Sequence, residues 1–374
     1  MESKRNWKSE SDLAGFFELF SGSGKPSIAR AVSTLVGDTV KQERKERIDR
    51  GIRARSDDIF ALTSYREMLY VAVPPVLPVI ALAILPLVLP YYWQKVLIST
   101  AIFALLAMSW DFLVSVGMVS LGQALFFGVG AYISGSLDHY LGFPIWLSIP
   151  LATVLGGAAS TLFLLPVLRL RGIYFSMVTL VVPLMFERSI EATGILGGTE
   201  GLARLKSFGN PWVEVYLVIA VLPLALFGFR RLMTTDYGLV LRAIRDNDRA
   251  VMSAGINIYK VKAQALLLAS CIGAFCGAYM THLYKFVGMP AFALDYSILP
   301  LASAVVGGMG SFAGSLMGAF ILVPLSEALR GVGGLRTVIY ALFLVVFIVA
   351  LPEGIFHYIQ RKYQQFERWV EVDK

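Results

Sequence analysis

The chain has 374 residues, of which 56% are hydrophobic and 16% are charged, and its formal net charge is +7. A soluble domain carries about 25% charged residues, whereas several stretches here hold nearly twenty apolar residues, enough to cross a bilayer. The composition therefore predicts an all-α polytopic membrane protein rather than a soluble one. We assign the positive charge to cytoplasmic loops and not to a nucleic-acid surface.

Residues 1–66 form a polar and basic extension that is predicted to be cytosolic. Its run of mixed charge, Lys41–Arg50, indicates either an exposed docking helix or a solvated tether. The segment Gly22–Lys25 is similar to the end of a phosphate-binding loop, but Leu19 and Pro26 occupy positions where that motif needs Gly and Ser or Thr. We therefore expect no nucleotide binding by this chain.

Apolar stretches define a predicted membrane domain over residues 67–352, followed by a cytosolic tail, 353–374. The stretch Ile298–Leu329 is long enough for two passes, with a break expected at the glycines of 307–310. About ten transmembrane helices result, some of them broken or re-entrant. The stretches are Met68–Leu89, Val96–Val116, Gly117–Leu137, Ile145–Leu168, Ile173–Ile190, Val213–Phe229, Ala263–Tyr284, Ile298–Leu329 and Val338–Leu351.

Lys and Arg residues predict the topology, since they collect in cytoplasmic loops. The N-terminal extension, the loop 230–262 and Arg361–Lys362 are basic, so both termini and that loop should be cytoplasmic. The loop 191–210 has balanced charge and should face outward. Because both termini are then on the same side of the membrane, the number of crossings must be even, and ten crossings meet this condition.

Two segments in separate halves of the chain, 120–132 and 307–319, are rich in small residues. Close helix packing would explain both, and a central pathway built from broken helices is the alternative. The outward loop 197–201 has glycines that permit a mobile turn, which suits a gate or a docking site. By position, the candidate path or gate residues are Ser120, Gly122, Gln123, Phe126, Phe127, Gly198, Thr199, Glu200, Gly308 and Ser311.

The loop 230–262 is predicted to hold an amphipathic helix. Leu241, Ile244 and Val251 recur at helical spacing, Asp236 is an expected N-cap, and Gly255 is an expected C-cap. Arginines lie on an adjoining face, with Arg242 and Asp246, and Arg245 and Arg249, as i,i+4 neighbours. Such a helix either docks on a soluble partner or lies on anionic lipid.

Five ordered motifs between Trp110 and Gly354 resemble the permease subunits of bacterial branched-chain amino-acid ABC importers, the LivM-like subfamily. The motifs are Ser120–Ala124 with Phe126–Tyr132, Leu170–Tyr174 with Val178–Leu180, Gly197–Leu202, Leu241–Asn247 with Ala254–Asn257, and Val306–Ser311. The general importer motif has an acidic residue and paired alanines before the loop glycine, whereas this chain has Arg249-Ala250-Val251 before Gly255.

The resemblance implies the ABC importer permease fold, in the bacterial inner membrane, with alternating access driven from outside the chain. The implied partners are a second homologous permease, two ABC ATPase subunits that hold ATP and Mg²⁺, an external substrate-binding protein and the lipid bilayer, but no nucleic acid. The chain itself would hold no catalytic residue, metal or cofactor. The implied ATPase-coupling helix comprises Leu241, Arg242, Ala243, Ile244, Arg245, Asp246, Arg249, Ala250, Gly255 and Asn257.

Two other classes of protein fit the sequence less well. A membrane enzyme would carry a motif such as His-Glu-x-x-His or Gly-x-Ser-x-Gly, and neither occurs. A stand-alone secondary transporter should place charges in the middle of spans, whereas Asp111, Glu187 and Glu327 are expected near span ends or breaks. The implied substrates are branched-chain amino acids, with urea or short amides as the alternative for the same architecture.

Overall fold

The computed structural model describes residues 78–332, 335–350 and 354–367. The predicted extension, 1–66, and the beginning of the stretch Met68–Leu89 lie outside the described residues. Within the described ranges the chain is almost entirely helical, with one pair of two-residue strands. The predicted all-α class is therefore confirmed.

The α-helices of the described residues are α1 Pro78–Val88, α2 Tyr91–Ser115, α3 Gln123–Leu141, α4 Ile145–Leu164, α5 Ile173–Thr193, α6 Pro211–Met233, α7 Asp236–Ser253, α8 Ile258–Tyr284, α9 Asp295–Gly307, α10 Phe312–Ala328, α11 Leu335–Ala350 and α12 Ile355–Glu367. Short 3-10 turns occur at Pro166–Arg169, Ile195–Gly197, Met289–Phe292 and Leu329–Val332. Strand β1, Leu202–Ala203, pairs with strand β2, Phe286–Val287.

Within the described ranges, seven helical stretches are long and apolar enough to cross a membrane. They are α2, α4, α5, α6, α8 and the stretches Met289–Gly307 and Phe312–Gly331, which contain α9 and α10. The chain is therefore a multi-pass membrane protein. The figure of about ten crossings stays a prediction, because α1, α3 and α11 do not belong to this set.

The prediction of one helix over Gly117–Leu137 is wrong in its first part. Residues 116–122 are not helical, and α3 begins only at Gln123. Side chains bond to backbone groups in the second half of this segment, in place of a helical ladder. The Trp110 indole donates to the Ser120 carbonyl (2.7 Å), the Leu121 amide donates to the Thr179 hydroxyl (3.0 Å), and the Gly122 amide donates to the Ser120 hydroxyl (3.1 Å).

The break expected in Ile298–Leu329 is confirmed. Helix α9 ends at Gly307, a turn occupies 308–311, and α10 begins at Phe312. The Ser311 hydroxyl accepts a hydrogen bond from the Gly314 amide at 3.3 Å and so caps the new helix. Such a cap helps α10 to begin inside the bundle, because it satisfies one of the first backbone amides of the helix.

Helix α2 forms the centre of the bundle. It is apolar on all sides, which is typical of a helix that is surrounded by other helices. It contacts α6, α8, α9 and α10, while α8 also packs against α3 and α4. The approach of α8 to α3 is very close, since a Cβ atom on Gly277 would overlap the carbonyl oxygen of Phe127.

A two-stranded antiparallel sheet joins the chain after α5 to the chain after α8. Leu202 pairs with Val287 and Ala203 pairs with Phe286, in antiparallel register. The Leu205 amide adds a hydrogen bond to the Lys285 carbonyl at 3.3 Å. The chain that follows α5 is therefore held by backbone hydrogen bonds to the chain that follows α8.

Candidate functional site

Helix α7 lies between α6 and α8, and its apolar face is buried against them. Leu241, Ile244 and Val251 are all buried, as their spacing predicts. Arg242, Arg245, Asp246 and Arg249 are exposed polar residues of the same segment. The predicted amphipathic helix is therefore present.

The ends of α7 agree with the prediction at one terminus only. The N-cap position is occupied by Thr235 and not by Asp236, which lies in the first turn where its carboxylate faces the positive end of the helix dipole. At the other end, Gly255 has a φ of 83° and follows the C-cap residue Ala254. The glycine ends the helix in the left-handed region, as expected.

The sequence analysis missed a kink at Asn247. This residue has non-helical angles (φ −155°, ψ 96°), and its side-chain oxygen accepts hydrogen bonds from the amides of Arg249 and Ala250, each at 3.2 Å. Asn247 is therefore the N-cap of a second helical segment, 248–253. The expected i,i+4 relation between Arg245 and Arg249 along one continuous helix is wrong for this reason.

Arg242 also differs from its predicted role beside Asp246. Its guanidinium donates to the carbonyl oxygen of Met233, the last residue of α6. This bond satisfies a carbonyl that has no partner within its own helix. Arg242 therefore fastens α7 to α6.

A cleft of about 330 Å³ lies beside the kink, and we call it the α7 cleft. Its floor is apolar, from Val116, Leu168 and Phe175, and its rim is charged. Four basic residues, Arg171, Arg245, Arg249 and Lys262, outnumber two acidic ones, Asp246 and Asp248. Arg171 and Asp248 form an ion pair at 3.4 Å that joins α7 to the chain before α5.

The loop after α2 packs directly against α7. Gly117 has a φ of 81°, and a Cβ atom on it would come within 3.2 Å of the Cα atom of Arg245. A side chain here would be strained by the backbone angle and would push against α7. The backbone of Arg245 is thus in contact with the end of the central helix.

Five of the predicted path residues lie together at the start of α3. Ser120, Gly122, Gln123, Phe126 and Phe127 are buried there. The Gln123 carbonyl accepts from the Ser109 hydroxyl at 3.2 Å, and its amide nitrogen has no partner among the described residues. Ser297 of α9 supplies the hydroxyl that accepts from the Ala124 amide at 2.9 Å.

The other predicted path residues lie elsewhere. Gly198, Thr199 and Glu200 follow α5 and lie just before strand β1, and the last two are exposed. Gly308 and Ser311 belong to the turn between α9 and α10. The predicted path residues therefore lie in three separate places: at the start of α3, in the loop after α5, and in the turn between α9 and α10.

Asp111 is a buried carboxylate at the third of these places. Its Oδ1 atom accepts from the Gly310 amide at 2.7 Å. Together with Thr179 and Ser297, Asp111 was not identified as a site residue from the sequence. No local pattern marks these three residues, since each bonds to a segment far away in the chain.

A second, larger cavity of about 620 Å³ opens between α3, α4 and α5, and we call it the α3–α5 cavity. Phe292, from the 3-10 turn before α9, closes one side of it. The other lining residues are mainly apolar and aromatic. They include Val129, Tyr132, Ile133, Phe163, Phe186 and Ile190.

Comparisons with known proteins match most of the chain. A profile of the family described as "Branched-chain amino acid transport system / permease component" matches residues 92–351. The chain is similar to the high-affinity branched-chain amino acid transport system permease protein LivM of Escherichia coli (strain K12), with 27% identity over 288 residues that cover 68% of each chain.

Two proteins of Methanocaldococcus jannaschii are also similar. The probable branched-chain amino acid transport permease protein LivM is 28% identical over 185 residues, which cover 47% of this chain and 54% of the relative. The probable branched-chain amino acid transport permease protein LivH is 26% identical over 216 residues, which cover 54% of this chain and 68% of the relative. No solved structure matches the chain.

Proposed function

The chain belongs to the family of permease components of branched-chain amino-acid transport systems, and we propose that it is the membrane-spanning subunit of an ABC importer. It moves branched-chain or related amino acids across the bacterial inner membrane by alternating access. Separate ATPase subunits bind ATP and Mg²⁺ and hydrolyse the nucleotide. This chain supplies the pathway and the surface on which an ATPase docks.

The observation that carries this proposal is the construction of α7. A helix that couples an ATPase to a pathway needs a polar side for docking and firm attachment to spanning helices. Helix α7 has exposed Arg245 and Arg249 on one side, and on the other it is held by buried Leu241 and by the Arg242 bond to α6. A helix that only rested on lipid would not need the ion pair between Asp248 and Arg171.

The proposed coupling residues divide into two groups by their contacts. Leu241 and Ile244 hold the helix in place because they are buried, Arg242 fastens it to α6, and Asn257 caps the start of α8 by accepting from the Lys260 amide at 3.2 Å. The others form the proposed ATPase seat. They are Ala243, Arg245, Asp246, Arg249, Ala250 and Gly255, all of them exposed except the half-buried Ala243.

The orientation follows from charge. The segment around α7 is basic, so it faces the cytoplasm together with both chain termini. The loop 197–201 and the paired strands β1 and β2 then face outward, where an external binding protein delivers substrate. Gly198, Thr199 and Glu200 form the outer gate in this proposal.

Two broken helices support a pathway near the middle of the bilayer. The Tyr296 ring in the first turn of α9 stacks on Phe103 (5.6 Å), the central residue of α2, and on Phe127 (3.9 Å). Helix α9 therefore begins at mid-depth, and α3 begins beside it. Broken helices at this depth line substrate sites in transporters, so we assign the residues around Ser120, Gly122, Gln123, Phe126 and Phe127 to the path, with Gly308 and Ser311 on its cytoplasmic side.

Helix α5 supports the presence of a second permease. It is the least buried of the spanning helices that the structure describes, since only 17% of its most apolar 18-residue stretch is buried. Its exposed stripe starts with the apolar residues Tyr174, Met177, Val181 and Met185 and then reaches Arg188, a charged residue that lipid disfavours. A homologous permease that packs against this stripe would bury its apolar residues and would shield Arg188 from lipid.

Purification from the native membrane in mild detergent, followed by mass spectrometry, tests the assembly. We expect a second permease and ATPase subunits to copurify, and ATP-dependent uptake of radiolabelled leucine after reconstitution with the binding protein. Recovery of the chain alone in a stable, transport-active form would contradict the importer. Uptake of labelled urea instead of leucine would keep the architecture and change the substrate.

A further inference from the structure

The α3–α5 cavity is long and narrow. Its lining follows α3 from Val129 to Leu141, a rise of about 18 Å along the helix axis. Dividing the volume of about 620 Å³ by this length gives a mean cross-section of about 35 Å². A helix with its side chains is about 10 Å or more in diameter, so its cross-section is more than twice as large. The cavity therefore admits a single extended chain but not a helix of another subunit.

The lining of this cavity is almost wholly apolar, and most of its hydroxyl groups already donate elsewhere. Ser136, Ser189 and Thr193 each donate to the carbonyl oxygen four residues earlier, at 2.7 Å. Tyr132 contributes its ring to the lining, because its hydroxyl is enclosed by protein atoms. A water molecule needs roughly two to four polar partners, so this lining suits hydrocarbon and not water.

The two ends of the cavity differ in character. Toward one end, aromatic rings crowd together: the ring centroid of Phe186 lies 4.7 Å from that of Phe163 and 6.1 Å from that of Phe292. At the other end Tyr140 and Leu141, the last residues of α3, are 59% and 62% exposed. Tyrosine is enriched where a membrane meets water, so this end lies at the level of the lipid headgroups. The cavity therefore runs from the headgroups toward the middle of the bilayer.

The length of the cavity matches one leaflet of a bilayer. The hydrocarbon core is about 30 Å thick, so the acyl chains of one leaflet span about 15 Å. The lining along α3 extends about 18 Å, and it starts at the end of α3 that lies away from α7. An acyl chain from the leaflet on that side therefore has the length, the width and the polarity that the cavity requires.

We propose that the α3–α5 cavity is a lipid-binding site that holds one acyl chain of a phospholipid. The headgroup stays at the level of Tyr140, and the chain extends along α3 to the rings of Phe186 and Phe292. The chain completes the packing between α5 and the helices α3 and α4, and so holds α5 at its distance from them. This inference goes beyond the proposed function and does not depend on what the chain transports.

Photolabelling tests the site in the full chain, together with every subunit that copurifies from its native membrane. The complex is placed in vesicles of phosphatidylethanolamine and phosphatidylglycerol. The probe is phosphatidylethanolamine with a photoactivatable diazirine near the end of one acyl chain, and peptide mass spectrometry locates the adducts. We expect adducts at Phe292, which is only 1% exposed and which bulk lipid therefore does not reach. Labelling confined to exposed side chains would overturn the proposal.

Ala159→Phe narrows the cavity from the side of α4. Each buried methylene contributes a factor of about four to affinity, so displacing two of them should lower the adduct yield at Phe292 by about tenfold or more. Ala158→Phe is the matched control, because Ala158 is exposed and does not line the cavity. Its adduct yield should stay within about twofold of the wild type. Equal yields in the two variants would overturn the proposal.

The melting temperature in detergent provides a test that does not depend on the folding of any variant. The chains of dipalmitoyl phosphatidylethanolamine reach the aromatic end of the cavity, whereas those of the dihexanoyl form are too short. The wild type should therefore melt at least about 2 °C higher with the dipalmitoyl lipid. Ala158→Phe should keep this difference and Ala159→Phe should lose it. Equal melting temperatures of the wild type in the two lipids would overturn the proposal.

Native mass spectrometry of the purified complex identifies the occupant by its mass. A retained phospholipid that is lost in Ala159→Phe and kept in Ala158→Phe supports the proposal. A free fatty acid as the sole adduct would overturn the assignment to a phospholipid. All of these measurements are made without ATP or a transported substrate. A complex that binds the lipid but imports no leucine would therefore contradict the importer proposal alone.

Discussion

In the proposed importer, replacing Asn247 with alanine should uncouple ATP hydrolysis from transport. The change removes the acceptor for two amides, each 3.2 Å from the side-chain oxygen, and the loss of one N-cap costs about 1 kcal/mol. That free energy corresponds to a factor of about five in an equilibrium. Alanine also favours helix at this position, so both effects straighten α7 and move the segment 248–253 away from its observed direction. The ion pair between Asp248 and Arg171 should then be lost.

The assay is leucine uptake per ATP hydrolysed by the reconstituted importer. Asn257→Ala is the control, because Asn257 caps α8 with the same chemistry and the same 3.2 Å distance but without a kink. Asn247→Ser should restore the ratio, since serine is also a good N-cap. Equal ratios for Asn247→Ala and Asn257→Ala would refute the reasoning, because the kink would then have no role in coupling.

Three further predictions concern stability in detergent, measured by thermal or denaturant unfolding. Lys95→Met should lower the free energy of unfolding by about 2 kcal/mol, because it leaves the carboxylate of Glu214 unpaired. The Glu214 side chain is 11% exposed and its carboxylate lies 2.5 Å from the lysine. Replacing both residues with Met should recover most of the loss, and equal losses in the single and double variants would contradict this. Gly277→Ala should destabilise by about 1–3 kcal/mol because α3 lies against it, whereas Gly228→Ala, with open space around it, should be neutral or stabilising. Asp111→Leu should cost about 1–3 kcal/mol by removing the acceptor for the loop amide, and Asp111→Asn, which keeps an acceptor, should cost less.

The sequence was sufficient where short-range patterns determine structure. Apolar stretches predicted the spanning helices to within a few residues at most ends, and the glycines at 307–310 predicted the break between α9 and α10. The spacing of Leu241, Ile244 and Val251 predicted the buried face of α7. In each of these cases, the residues that determine the structure lie within one helical turn or one membrane span of each other.

Features that depend on distant partners could not be predicted in the same way. The residues 116–122 look helical by composition, but Thr179 and Trp110 satisfy their backbone groups and hold them in another conformation. The lining of the α3–α5 cavity likewise comes from helices that the sequence does not order in space. Asn247 is different, because asparagine is a preferred N-cap residue and is therefore a local signal for the start of a helical segment. The helical spacing of the apolar residues on either side of it predicted one continuous helix instead.

The pairing of β1 with β2 makes α5 a lever that tilts about the end nearest these strands. Backbone hydrogen bonds hold the chain after α5 to the chain after α8, while the opposite end of α5 is joined to α7 by the ion pair between Arg171 and Asp248. With 21 residues, α5 extends about 31 Å, so a tilt of about 10° displaces its inner end by roughly 5 Å. Residues of α5 close to the paired strands move less than half as far. A movement that passes through the ion pair at Arg171 therefore changes the position of α5 most beside the α7 cleft and least beside the strands.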